Sequence, residues 1–179
     1  METVEPMELK QKMQHNIQRM FAERGDGDVH MELVSDLCML QTDKHAVFYF
    51  GNNMSVKDAR ELISKCADLP RHLRVVVIVQ GSVTSQAKNM LNETEVNESD
   101  IQVFKSTFFH YSPIDHEFVP KHTLLTGVET NDLLTKVPAH QLPRIMKDDA
   151  IAMFYGARIG DVFKIERPKN VYYRIVSTA

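Results

Sequence analysis

The side chains in this sequence that could do chemistry are eight histidines, two cysteines and a scatter of carboxylates and cations. Catalysis or metal binding needs them at set spacings, each on an element that aims it. His110, His116, His122 and His140 invite a metal reading. His116 and His122 flank Pro120 in an extended segment, with no cysteine or third partner at zinc spacing, so hydrogen-bonded structural histidines are expected. Cys38 and Cys66 are too few and too far apart for a disulfide framework or a zinc knuckle, and read as buried thiols. No motif pairs either with a histidine as a nucleophile, and Gly25-Asp26-Gly27 lacks the strand and Gly-Lys of a phosphate loop. A metal-dependent nuclease on a small α/β domain needs an acid near one strand and an acid-x-Lys on the next. Val47-Phe48-Tyr49-Phe50 and Val75-Val76-Val77-Ile78-Val79 carry no acid, and Glu61 with Lys65 reads as a surface pair one helical turn apart. No catalytic residue, metal or cofactor is expected. The remaining candidates are cations: Arg144, Lys147, Arg158, Lys164, Arg167 and Arg174. They would line a nucleic-acid groove or serve as solvated faces and partner contacts. Without interleaved aromatics of the single-strand type, the second reading is favoured.

The elements that must position these residues follow from periodicity. Leu9, Met13, Ile17, Met20 and Phe21 fall on one face of a helix over residues 6–24, with Pro6 suited to its start and Gly25 to its stop. Leu33, Leu37 and Leu40 suggest a short helix over residues 32–40. Residues 46–50 read as a strand, and Ser55 with Asp58 caps a helix that buries Ala59, Leu62, Ile63 and Cys66. Residues 73–79 form a β-branched run of the kind covered on both faces. Strand, helix and strand of this size make a parallel βαβ unit. Thr84 caps the next helix, which buries Ala87, Met90 and Leu91; a third strand follows at residues 101–104. Further on, Thr126 and Glu129 form a capping box, with Val128, Leu133 and Leu134 expected in a core. Residues 143–145 are extended, Asp148 opens a short helix that Gly156 ends, and residues 162–167 and 171–176 form a hairpin.

The 179 residues suffice for one ordinary domain or two small ones, and no apolar run is long enough to span a bilayer. The acidic, polar start is not a signal peptide. Net charge is −3, but residues 1–115 carry 12 Lys+Arg against 17 Asp+Glu, whereas residues 116–179 carry 9 against 7. The step falls near Tyr111-Ser112-Pro113, where turn residues interrupt a strand-like run. The expected fold is α/β: a three-layer domain over residues 1–112 with a small parallel-containing sheet, then a small mixed α/β domain over 113–179 ending in a β-hairpin.

The last third is a series of short blocks: His116-Glu117-Phe118-Val119-Pro120-Lys121-His122, Gln141-Leu142-Pro143-Arg144-Ile145, Asp148 through Gly156, Gly160 through Ile165, Arg167-Pro168, and Tyr172-Tyr173-Arg174-Ile175-Val176. In this order they resemble the assembly domain of the fifth subunit of eukaryotic RNA polymerases, which in archaea stands alone as a small polymerase subunit. The resemblance extends upstream. Residues 17–25 look like the family's first helix and its end, residues 47–50 like its first jaw strand. Residues 76–80 and Thr84-Ser85-Gln86-Ala87-Lys88 resemble the next strand and a Thr-Pro-Ser-Ala-Lys helix start. Ser85 and Gln86 stand where the family has Pro and Ser, Ala150 where it has Pro, and Met153 where it has Arg. A short insertion in the final hairpin and a longer loop after the first helices are missing.

The resemblance implies a non-catalytic subunit of a multisubunit DNA-directed RNA polymerase, with residues 1–112 as a nuclease-like jaw lacking an active site and 113–179 as the assembly domain. It implies docking on the largest subunit, through a surface that includes Pro143, Arg144, Tyr155, Gly156, Arg158, Lys164 and Arg167. Downstream double-stranded DNA within the complex would lie near Thr84, Ser85 and Lys88, where a helix start offers amide donors and a positive partial charge. No membrane partner and no small-molecule substrate is implied. The location would be the nucleus of a cellular eukaryote, or the host cytoplasm or virion for a large DNA virus.

Overall fold

The computed structural model describes residues 6–26, 38–70, 72–93, 95–96 and 99–178, and the chain divides into two compact units, Met1–Tyr111 and Ser112–Ala179. The first unit begins with helix α1 (Pro6–Glu23), whose Met13, Ile17, Met20 and Phe21 are buried. Strand β1 (Cys38–Gln41) pairs antiparallel with β2 (His45–Phe50). Helix α2 (Val56–Ala67) crosses over to β3 (Arg74–Val79), which lies parallel to β2 with His45 opposite Arg74. Helix α3 (Ser85–Glu93), a short antiparallel pair β4 (Glu95–Val96) and β5 (Ser99–Asp100), and the parallel strand β6 (Gln102–Lys105) complete the order β1-β2-β3-β6.

Every residue of β3 from Val75 to Val79 is buried, so its β-branched run is covered on both faces. On one face Ala46, Phe48, Val75, Val77 and Val79 pack with Ala59, Leu62 and Cys66 of α2 and Ala87 and Leu91 of α3. Burying each valine or leucine contributes about 1.5–3 kcal/mol relative to exposure. On the other face the Phe21 ring of α1 meets the His45 ring edge-on at 5.2 Å. Phe104 meets Phe109 at 5.3 Å, and the Asn16 side-chain amide donates to the Phe109 carbonyl at 2.8 Å. The unit is therefore three-layered. The helix expected over residues 32–40 is corrected at its end: residues 38–41 are strand β1, and residues 32–37 lie outside the described ones. Leucine spacing fits a short helix, but here the backbone pairs along β2 instead, a long-range choice that local periodicity cannot register.

The second unit holds β7 (Lys121–Leu124), α4 (Gly127–Lys136), β8 (Arg144–Met146), α5 (Ala150–Tyr155), β9 (Val162–Glu166) and β10 (Val171–Ser177). The sheet order is β7-β9-β10-β8, antiparallel except for β8, which runs parallel to β10. Ile145, Ile151, Ala152, Ala157, Phe163, Ile165 and Val176 form its core. The hairpin closes where Arg167 N–H donates to the Asn170 carbonyl at 2.9 Å. Two readings are corrected. Asp149, not Asp148, caps α5, its carboxylate accepting from Ile151 N at 2.9 Å. No residue of α4 is buried: Val128 is 73% exposed and Leu133 and Leu134 are half-buried. The Thr126–Glu129 capping box starts α4 without a core to hold it, because cap and amphipathic stripe are local features and burial is not.

Candidate interaction surfaces

The first candidate surface lies at the carboxyl ends of β2 and β3, where two helices start side by side. Met54 N donates to Ser82 O at 2.9 Å and Thr84 N to Met54 O at 3.2 Å, tying the two strand-to-helix loops together. The Asn53 side-chain oxygen accepts from Ser82 N at 2.8 Å and Ser82 Oγ at 3.0 Å. Only a glycine fits at Gly81, since an added Cβ would stand 2.8 Å from Asn53 N. The two helix starts differ electrostatically. The start of α2 is filled by its own Asp58 carboxylate, which accepts from Ser55 N at 2.8 Å and is held at a lowered pKa by these bonds. The first turn of α3 has no acid. Its cap Thr84 accepts from Ala87 N at 3.3 Å, which leaves the hydroxyl hydrogen available as a donor. Thr84, Ser85 and Lys88 are all exposed. The arrangement can receive an anion at α3 and not at α2.

Behind the sheet lies a buried polar cluster that sequence reasoning missed. The His45 Nδ1–H donates to the Asp26 carboxylate in a short contact, with both side chains out of water. Arg24 lies over Phe21 at 5.7 Å and Phe104 at 5.9 Å. Burial pushes the His45 pKa down from 6.5 to about 4; Asp26 opposes the shift, and the Arg24 and Arg74 cations add to it. The signal available in sequence was a histidine opening an apolar strand. Its partner Asp26 comes from a different segment, so only the fold joins them. Among the described residues no three His, Cys, Asp or Glu side chains converge to hold a metal ion. Cys66 is buried, which pushes its thiol up to about 11. His116 Nδ1 accepts from Phe118 N at 3.3 Å, and His122 Nδ1 bonds the Pro120 carbonyl at 2.7 Å. Glu61 and Lys65 form an ion pair at 2.9 Å.

In the second unit, register sorts the cations onto two faces of the sheet. Arg144 and Lys164 share one face, since Arg144 lies opposite Ile175 and Lys164 opposite Tyr173. There Lys164 pairs with Glu166 at 2.7 Å and Lys121 reaches Glu166 at 3.8 Å. The bond to Glu166 raises the Lys164 pKa. On the other face, which carries Phe163 and Val176, part of the sheet stays open as a groove of about 370 Å3. Pro143, Arg167, Tyr172 and Arg174 line it together with Pro120, His122, Ile165 and Tyr173. Tyr155 is half-buried, its ring 5.7 Å from Phe163, and Gly156 is the left-handed cap of α5 at φ 62°. Arg158 is exposed in the following loop, where its N–H donates to Asp161 at 2.7 Å. The residues singled out in sequence thus do not form one patch: Pro143 and Arg167 line the groove, Arg144 and Lys164 face away from it, and Tyr155 packs with the core.

The second unit coincides with a match to a family model, the C-terminal domain of RNA polymerase Rpb5, over residues 111–176. DNA-directed RNA polymerase subunit Rpo5 of Methanothrix thermoacetophila is 41% identical over 69 residues, which are 35% of this chain and 88% of that protein. This chain is a member of the RNA polymerase subunit 5 family. The subunit rpabc1 of DNA-directed RNA polymerases I, II and III from Dictyostelium discoideum is 36% identical over 107 residues, 58% of this chain and 54% of that protein. Subunit 5A of Arabidopsis thaliana DNA-directed RNA polymerase V is 28% identical over 154 residues, 84% of this chain and 68% of that protein. The chain spans between about half and two thirds of the length of these eukaryotic subunit 5 proteins. The archaeal protein, by contrast, is matched along most of its length by a stretch about as long as the second unit.

Proposed function

We propose that this chain is a non-catalytic subunit of a multisubunit DNA-directed RNA polymerase. In this reading the second unit docks on the largest subunit, and the first forms part of the lower jaw beside downstream DNA. The observation that carries the reading is the match to an archaeal polymerase subunit over 88% of that protein's length. A self-contained sheet with its own core suits a module that enters an assembly as a unit. The acid-free first turn of α3, with Lys88 beside it, suits sequence-independent contact with a phosphate backbone. The net acidic first unit suits a part that touches DNA only within a channel built by others. The site of action would be the nucleus in a cellular eukaryote, or the host cytoplasm or virion in a large DNA virus.

The test is affinity purification of the tagged chain from its source, followed by sizing. Co-migration with a polymerase largest subunit is expected. Monomeric behaviour with no large complex would favour a free-standing adaptor carrying the same module. Chelator-sensitive cleavage of nucleic acid by the isolated chain would favour a nuclease.

A further inference from the structure

The open end of the second unit's sheet combines an apolar floor with a cationic rim. Ile165, only 4% exposed, is the floor; Pro120 and Pro143 stand beside it. Register puts His122, Ile165, Tyr172 and Arg174 on this face, since Ile165 lies opposite His122 on one side and Tyr172 on the other. Arg167 lies over the Tyr172 ring at 5.8 Å, and both Arg167 and Arg174 are exposed. Among the described residues no carboxylate lines the groove. The sheet's own acid, Glu166, points to the opposite face, where Lys164 and Lys121 occupy it.

We infer that this groove seats an extended acidic segment of a partner protein, one apolar side chain entering over Ile165 and flanking carboxylates meeting Arg167 and Arg174. The size fits: a groove of about 370 Å3 takes one or two side chains, not a folded surface. The charge fits as well, because guanidinium forks recognise carboxylates in two-point contacts and no acid lining the groove competes for them. Arginine stacked on tyrosine keeps its N–H edges exposed while losing little motion on binding. A single-stranded nucleic acid is less well served. Its binding needs open aromatic faces in series and a basic track, whereas Arg167 already covers the Tyr172 ring and Lys164 across the sheet is paired. That the partner belongs to a polymerase rests on the function proposed above; the chemistry of the groove does not.

The experiment titrates the full chain with three fluorescent probes. They are a short peptide with one leucine flanked by glutamates, the same peptide with lysines for glutamates, and an oligothymidine of matched length. The glutamate peptide should bind and the lysine peptide should not. The double substitution Arg167→Glu/Arg174→Glu should weaken it at least about ten-fold. Lys136→Glu, on α4 and outside the groove lining, should change it less than about two-fold, within the spread of surface substitutions. Unchanged circular dichroism of both variants excludes unfolding as the cause. Preferred binding of oligothymidine, binding indifferent to the Arg167/Arg174 change, or no binding of the glutamate peptide would each overturn the proposal. Incorporation of the chain into the polymerase is scored separately. A wild-type chain that binds the peptide but never enters the polymerase would sink the function and leave the groove standing.

Discussion

Protonation of His45 is the residue-scale event by which mild acid should weaken the first unit. Its Nδ1–H serves Asp26, while Nε2 has no hydrogen-bond partner and Arg24 and Arg74 oppose a further charge. Because the folded pKa is pushed down from 6.5 to about 4, the unfolded chain binds the proton first between those values. The contribution of the neutral ring is complete above pH 6.5 and is lost as pH falls toward 4. Urea unfolding should show stability falling between pH 7 and pH 5, and His45→Phe should flatten that slope. A slope equal in both proteins would assign it elsewhere. Gly81 is the steric counterpart. Gly81→Ala places a methyl against Asn53 and 2.9 Å from the Asn52 carbonyl carbon. It should cost about 1–3 kcal/mol in the same measurement, because backbone atoms have nowhere to retreat.

Elements carry the next prediction. Helix α3 begins with Thr84, Ser85 and Lys88 exposed and no acid in its first turn, whereas α2 has consumed its own start with Asp58. Replacing Thr84, Ser85 and Lys88 together by alanine should leave assembly intact and weaken engagement of downstream DNA, more visibly at higher salt. Loss of the Thr84 cap by itself costs about 1 kcal/mol of helix stability, so folding must be measured alongside. A photocrosslinker at position 85 should reach DNA ahead of the active site in an elongation complex. Absence of that crosslink in an assembled complex would return Thr84 to the role of a helix cap and Lys88 to a solvated cation. The isolated chain should bind duplex DNA weakly or not at all.

At the scale of the whole molecule, the division at Tyr111 and Ser112 predicts separable behaviour. A fragment of residues 113–179 should fold by itself, with the cooperative unfolding of a small domain, and should enter the polymerase. Residues 1–112 should not enter alone. Pull-down of the two fragments against the largest subunit checks this, and the reverse result would move the docking surface to the first unit. The hydrophobic set Ile145, Ile151, Phe163, Ile165 and Val176 is drawn from within the second unit, which is the ground for expecting it to fold without the first.

Much of this was legible in the order of residues, wherever the physics is local. Ser55 with Asp58, Thr126 with Glu129 and Gly156 after a short apolar run announce their caps because each partner is within a turn of the other. The run from Val75 to Val79 declares a doubly covered strand because period and β-branching are properties of the segment itself. The blocks from His116 onward carry the family because their order survives without reference to contacts. Tertiary structure decided the rest, through pairings between distant segments. It turned Cys38–Gln41 into an edge strand and left Val128 in solvent. It joined Asp26 to His45, and it split Arg144 and Lys164 from Pro143 and Arg167. A strand alternates faces residue by residue, so which cations act together depends on register, and register is set by the core that the other strands bring.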